Sequence, residues 1–150
     1  MVSPASETEV QDWLEWAGSK LLALRIPSPA PKGPHIAWPE YASSPDGYGY
    51  TKNTLRAAAP TRFEITLMDE ILLLPNLIPD ITLRRIVHAR ALVAPVSLRY
   101  VYSWPKIALM VHSDRKAVAR LHTKGLRCIA KALREEKASA LRQSFHALAQ

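Results

Sequence analysis

The stretch between Ile26 and Pro60 constrains this chain more than any other. Pro27, Pro29, Pro31 and Pro34 crowd together, and Pro39, Pro45 and Pro60 follow. Proline lacks the backbone N–H that a helix or a central strand uses, and its ring collides with the preceding helical turn. No regular element can persist across residues 27–60. The chain therefore divides into an N-terminal helix (1–26), a Pro/Gly/aromatic connector (27–60) and a helical body (61–150). Trp38, Tyr41, Tyr48 and Tyr50 make the connector too aromatic for a purely solvated linker. It is expected to be extended, with some aromatics docked on the core; the alternative is a binding arm that orders on a partner.

On either side of the connector the periodicity is helical. Ser6-Glu7-Thr8-Glu9 has the form of a capping box, in which serine and glutamate each satisfy the other's free backbone N–H. Val10, Trp13, Leu14, Ala17, Leu21 and Leu24 then recur at helical spacing, which predicts a helix over 7–25. Thr61-Arg62-Phe63-Glu64 is a second capping box, and its helix runs to Leu74, where Pro75 stops it. Asp80 caps a third, carrying Leu83, Ile86, Val87, Arg90 and Ala91 inward and ending near Ala94. Val96–Tyr102 alternates like a strand, but no partner strand is evident, so it reads as an extended connector. Ser103 starts a short helix with Trp104 and Pro105 in its first turn, where a missing N–H is harmless. After His112, Ser113 reads as a fresh N-cap of a long helix, and the tail with Leu141, Phe145 and Leu148 continues it or folds back. The predicted class is all-α: a small helical bundle ending in a helix-turn-helix over 103–133.

The 150 residues carry a net charge of +7, and its distribution matters more than its size. Residues 1–79 hold six Lys/Arg against nine Asp/Glu (−3), and residues 80–150 hold fourteen against four (+10). A half so basic attracts polyanions through its field and through counterion release from phosphates. No apolar stretch approaches the roughly 18 residues of a spanning helix, and MVSPASETEV lacks the basic-then-apolar order of a signal peptide. A soluble cytoplasmic protein without membrane association is expected. Cys128, the single cysteine, excludes an internal disulfide. The five histidines are scattered, so no metal is expected, and no glycine-rich phosphate loop suggests a cofactor. Asp69-Glu70 points two ways on a helix and is expected to pair with Arg84 or Arg85 rather than to catalyse. No catalytic residues are identified, and enzyme activity is not expected.

Residues 103–121, SWPKIALMVHSDRKAVARL, carry the functional reading. A DNA-binding helix-turn-helix needs a short first helix, a tight turn and a second helix whose start is free to enter the major groove. Ile107, Ala108 and Val111 face inward on the first helix; Val118 and Leu121 do so on the second. His112 must supply the turn geometry that glycine often provides. Ser113, Arg115, Lys116, Ala119 and Arg120 are the residues expected toward bases, since arginine can grip a guanine edge with two bonds. His112, Lys106, Lys124 and Arg99 are expected toward the phosphate backbone. On the acidic N-terminal helix, Trp13 and Trp16 are candidate partner-binding residues, with at least one of them core.

Residues 104–133, WPKIALMVHSDRKAVARLHTKGLRCIAKAL, resemble the helix-turn-helix of sigma-factor region 4. Met68-Asp69-Glu70, LRRIVHARAL (83–92) and the Trp38-Pro39 … Tyr48-Gly49 segment resemble a phage and prophage family of small proteins with a domain of unknown function (DUF6362). The likeness spans residues 38–133 and departs at His88, where that family has tryptophan. It implies a phage-derived DNA-binding regulator of transcription, with double-stranded DNA as partner and no stated target. The alternative is a protein-interaction module that contacts RNA polymerase or a phage assembly. That module would be antitermination-like or small-terminase-like, with accessory DNA binding.

Overall fold

The computed structural model describes residues 5–24, 57–133 and 135–148. Among them are six α-helices and no strand beyond an isolated bridge. The connector, with Trp38, Tyr41, Tyr48 and Tyr50, lies outside the described residues.

Helix α1 (Glu7–Ala23) opens on the expected capping box: the Ser6 N–H donates to Glu9 Oε2 at 2.8 Å, and the Glu9 N–H donates to Ser6 Oγ at 3.1 Å. Helix α2 (Arg62–Leu72) repeats the device through Thr61 and Glu64, at 2.7 and 3.3 Å. Both boxes satisfy helix-start donors that would otherwise lack a partner. The stripe predicted from spacing on α1 forms one side of the seam between these helices. Val10, Trp13, Leu14 and Ala17 are buried on α1, and Leu67, Met68 and Ile71 on α2. Leu21 is the exception and stays exposed, although Leu24 beyond it packs against the core. Lys20 Nζ closes the flank on Glu64 at 2.5 Å, and this bond holds the Glu64 carboxyl below its ordinary pKa. The N-terminal helix therefore shares one core with the body beyond the connector.

Helix α2 ends two residues before the expected Leu74. Leu74–Leu77 tightens into a 3₁₀ turn with Pro75 in its first turn, burying Leu74 and Pro75. Helix α3 (Ile81–Ala91) is capped by Asp80, whose carboxylate accepts the Thr82 N–H at 2.8 Å. It stops three residues earlier than its spacing suggested. Leu92–Ala94 instead pairs with Arg99–Val101 across a tight turn: the Ala94 N–H donates to Arg99 O at 2.8 Å, and the Val101 N–H donates to Leu92 O at 3.0 Å. The partner that the alternating 96–102 segment lacked is thus the segment assigned to the end of the preceding helix. Leu98 sits in this turn with a positive φ of 53°. The expected pairing of Asp69-Glu70 with Arg84 or Arg85 does not form. Arg84 Nη2 donates instead to Ile78 O at 2.8 Å, because the 3₁₀ turn brings that carbonyl alongside it.

Helices α4 (Trp104–Val111) and α5 (Arg115–Ala132) follow, and α6 (Glu135–Leu148) folds back as a separate element. Ala138 and Leu141 of α6 enter the core. Phe145 stacks on Trp13 at 6.1 Å and meets Trp16 edge-on at 5.0 Å between ring centroids. Arg142 grips Glu9 with two bonds of 2.9 Å. That grip and the Ser6 backbone bond bring the Glu9 carboxyl from 4.5 to about 2. Helix α5 is the central strut. Its Val118 joins Ile86, Ile107 and Ala108 in a small core beneath α4, while Leu126 and Ile129 join the main core. Among the described residues no helix is long and apolar enough to cross a membrane.

Candidate nucleic-acid interface

The corner between α4 and α5 is built by backbone geometry. His112 adopts the left-handed conformation (φ 52°, ψ 46°), as the turn requires. The Ser113 N–H then donates back to Ala108 O at 3.0 Å and the His112 N–H to Leu109 O at 3.3 Å. This double closure is the Schellman form of helix end, usually provided by glycine. It also corrects the expected cap. Ser113 is used in closing α4, so the N-cap of α5 is Asp114, whose Oδ2 accepts the Lys116 N–H at 3.0 Å. Serine and aspartate are both favourable N-caps, so spacing alone does not choose between them.

Beyond the corner, α5 has two unlike faces. Val118, His122, Gly125, Leu126 and Ile129 are buried. Arg115, Lys116, Arg120 and Lys124 are exposed, and Ala119 is half-buried among them. Around this row lie exposed His112, Lys106 and Arg99, with half-buried Ser113 at the corner. Lys106 Nζ rests 4.7 Å from the Tyr102 ring centroid. The ion pairs of the described residues are Lys20–Glu64, Arg127–Glu7 and Arg142–Glu9. The basic residues of α5 therefore differ by turn. Arg127 is tied to α1 at 2.7 Å, whereas those of the first three turns have no carboxylate partner among the described residues. Arg115, Lys116, Ala119, Arg120 and Lys124 share α5, Ser113 and His112 form the corner before it, Lys106 lies on α4, and Arg99 on the adjoining loop lines one cleft with Arg115.

Behind the corner lies a polar cluster that spacing did not reveal. The Arg90 guanidinium is packed against two rings, its Cζ 3.2 Å from the Tyr100 centroid and 4.2 Å from that of Trp104. Its Nη1 donates to Tyr102 O at 3.4 Å. Tyr100 Oη donates to Glu15 Oε1 at 2.8 Å, an oxygen that also accepts from Gln11 Nε2 at 2.7 Å. Burial pushes the Tyr100 hydroxyl above its ordinary pKa, and Glu15 adds to the rise. Burial pushes the Arg90 guanidinium down, against the opposing pull of Tyr100 and Glu15. His122 lies beneath, only 6% exposed, with its ring edge-on to Trp104 at 5.3 Å. Burial, and then the Arg90 charge, bring His122 from 6.5 to about 4. The cluster ties α1, the 92–103 loop, α4 and α5 into one rigid support. The available signal was Arg90 on an otherwise apolar stripe, which demands a partner wherever it is buried.

The candidate partner-binding tryptophans are placed in the α1–α6 seam. Trp13 is buried, and Trp16 is half-buried between Phe145 and Lys20, whose Nζ lies 5.7 Å from its ring. Cys128 is half-buried against the main core. Among the described residues no group of three His, Cys, Asp or Glu side chains could hold a metal ion. Comparison with family models, curated proteins and solved structures finds no match to this chain.

Proposed function

We propose that the protein binds double-stranded DNA through α5, as a helix-turn-helix transcription regulator of phage or prophage type. One observation carries the reading: Arg115, Lys116, Arg120 and Lys124 form an exposed row without carboxylate partners among the described residues, on a helix whose opposite face is buried. A solvated helix of this basicity would ordinarily set glutamates among its lysines and arginines; none occurs between Asp114 and Leu133. Arg115 and Arg120 are the base readers, each suited to the paired acceptors of guanine, and Ala119 suits a thymine methyl. Lys106, Lys124, His112 and Arg99 hold the flanking phosphates, which set register without reading sequence. The Arg90 cluster keeps α5 from tilting as these contacts form.

Selection of bound duplexes from a random pool, followed by alanine substitution, tests this. Arg115→Ala or Arg120→Ala is expected to cost on the order of 1–3 kcal/mol at the selected site and to relax the preference there. Lys124→Ala should weaken all sequences alike. If both arginine substitutions leave duplex retention unchanged, the recognition assignment is wrong. A second reading, contact with RNA polymerase or another phage protein, draws on Leu109 and Met110. These are 76% and 58% exposed on α4, an apolar pair beside the corner. In that reading Leu109→Ser abolishes partner capture and leaves duplex affinity intact.

A further inference from the structure

A cleft of about 390 Å³ opens where the 92–103 loop meets the starts of α4 and α5, on the flank of the corner. Three arginines line it, Arg90, Arg99 and Arg115, and among the described residues no aspartate or glutamate does. Arg90 is already held between the Tyr100 and Trp104 rings. Arg99 and Arg115 are exposed and have no ion-pair partner among the described residues. Ser103, at the start of α4, makes no capping bond with its hydroxyl, which leaves that donor for something else. The remaining walls are Leu98, Pro105 and the Trp104 and Tyr100 rings. Leu98 is 74% exposed and held in the left-handed backbone region. Folding gains little from a strained, solvated leucine, and such outliers gather where a ligand is held.

We infer that this cleft binds a small organic phosphate, with the phosphate on Arg99, Arg115 and Ser103 and the organic body on Leu98, Pro105 and Trp104. The charge count selects the head group. Arg90 is engaged by the Tyr100 and Trp104 rings and lies in the field of Glu15. This leaves the two exposed guanidiniums of Arg99 and Arg115 to match the charge of nearly −2 on a phosphate monoester near neutral pH, each able to grip its oxygens with two bonds. A single carboxylate would leave one cation uncompensated. The volume selects the body, because it falls in the range of small-ligand sites and inorganic phosphate would leave the apolar wall uncovered. Arg115 belongs to both this cleft and the DNA-facing row, so the ester and the duplex compete for it. That last step rests on the proposed DNA reading; the cleft itself does not.

Calorimetric titration of the full chain with adenosine 5′-monophosphate, ribose 5-phosphate and inorganic phosphate tests the site. Saturable one-site binding is expected for both esters, tighter than for inorganic phosphate. Arg99→Ala and Arg115→Ala should each weaken it by about tenfold or more, and Arg120→Ala should leave it unchanged. All three positions are exposed, and matching urea midpoints will show that the variants fold. Absence of saturable ester binding, or equal weakening by Arg120→Ala, overturns the site. Duplex retention by a chain that takes up neither ester assigns the two arginines to the duplex alone and overturns it as well. If the esters bind in this pattern while no duplex is retained, the DNA reading falls and the cleft stands.

Discussion

Replacing Gly18 with alanine sets helix propensity against interhelical contact. Gly18 lies in α1 where that helix crosses the end of α3. A Cβ built there would stand 2.0 Å from the carbonyl oxygen of Ala91, 2.7 Å from its carbon and 3.2 Å from the Leu92 Cα. Each obstacle is backbone, so no rotamer change relieves it. The two segments must part by about 1 Å or more to restore ordinary contact, which forfeits roughly a quarter to a half of the dispersion along the seam. Overpacking of this kind costs about 3 kcal/mol at the upper end of its usual range. Alanine in a helix interior recovers about 1 kcal/mol relative to glycine. The balance is a loss of about 2 kcal/mol, and for a chain of this size a fall in Tm of about 4–8 °C. Separation should also disturb the Tyr100–Glu15 bond, which spans the same two parts of the fold. Urea unfolding followed by far-ultraviolet circular dichroism measures the change. Propensity alone demands stabilisation, so a raised midpoint in Gly18→Ala would refute the close crossing of α1 and α3.

Two further substitutions probe the support of α5. His112→Gly should stabilise the protein by about 0.5–1 kcal/mol, since glycine occupies the left-handed turn without the penalty borne by an L side chain; a lowered urea midpoint contradicts the turn geometry. His122 has a folded-state pKa depressed to about 4 from 6.5, so it is neutral in both states above pH 6.5 and its full contribution is present there. As pH falls from 6.5 toward 4, the unfolded chain takes up a proton that the folded one refuses, and stability drops by up to about 3 kcal/mol. His122→Gln should flatten urea midpoints across that window, and an unchanged slope would show that another group titrates.

Local signals were legible in the sequence and cross-chain ones were not. Ser6/Glu9 and Thr61/Glu64 were readable because a capping box involves four consecutive residues and needs nothing from the rest of the fold. The buried face of α1 followed from spacing for the same reason, whereas on α5 Leu121 is only half-buried and His122 and Leu126 turn inward, because α3 and Trp104 pack against that side. The end of α3 was misplaced because Leu92 and Ala94 are drawn out of the helix by backbone bonds to Val101 and Arg99. The N-cap of α5 moved by one residue because Ser113 is used by the preceding helix. The α1–α6 seam depends on Phe145 reaching Trp13 and Trp16 from the far end of the chain. The Arg90 cluster likewise joins Glu15 to Tyr100, a pairing that no window of adjacent residues contains. The bare cationic row on α5 was legible because it follows from charge and helical period alone; the phosphate cleft required the 92–103 loop in place.

The salt dependence of duplex retention tests the central claim most directly. Each phosphate neutralised by the α5 row or its neighbours releases a counterion and adds about −0.9 to the slope of log affinity against log salt. The wild-type chain is expected to show a steep slope, with Lys106→Ala and Lys124→Ala each reducing its magnitude by about 1. A chain that retains no duplex at low salt, or whose slope is untouched by either substitution, would contradict a DNA-binding role for α5.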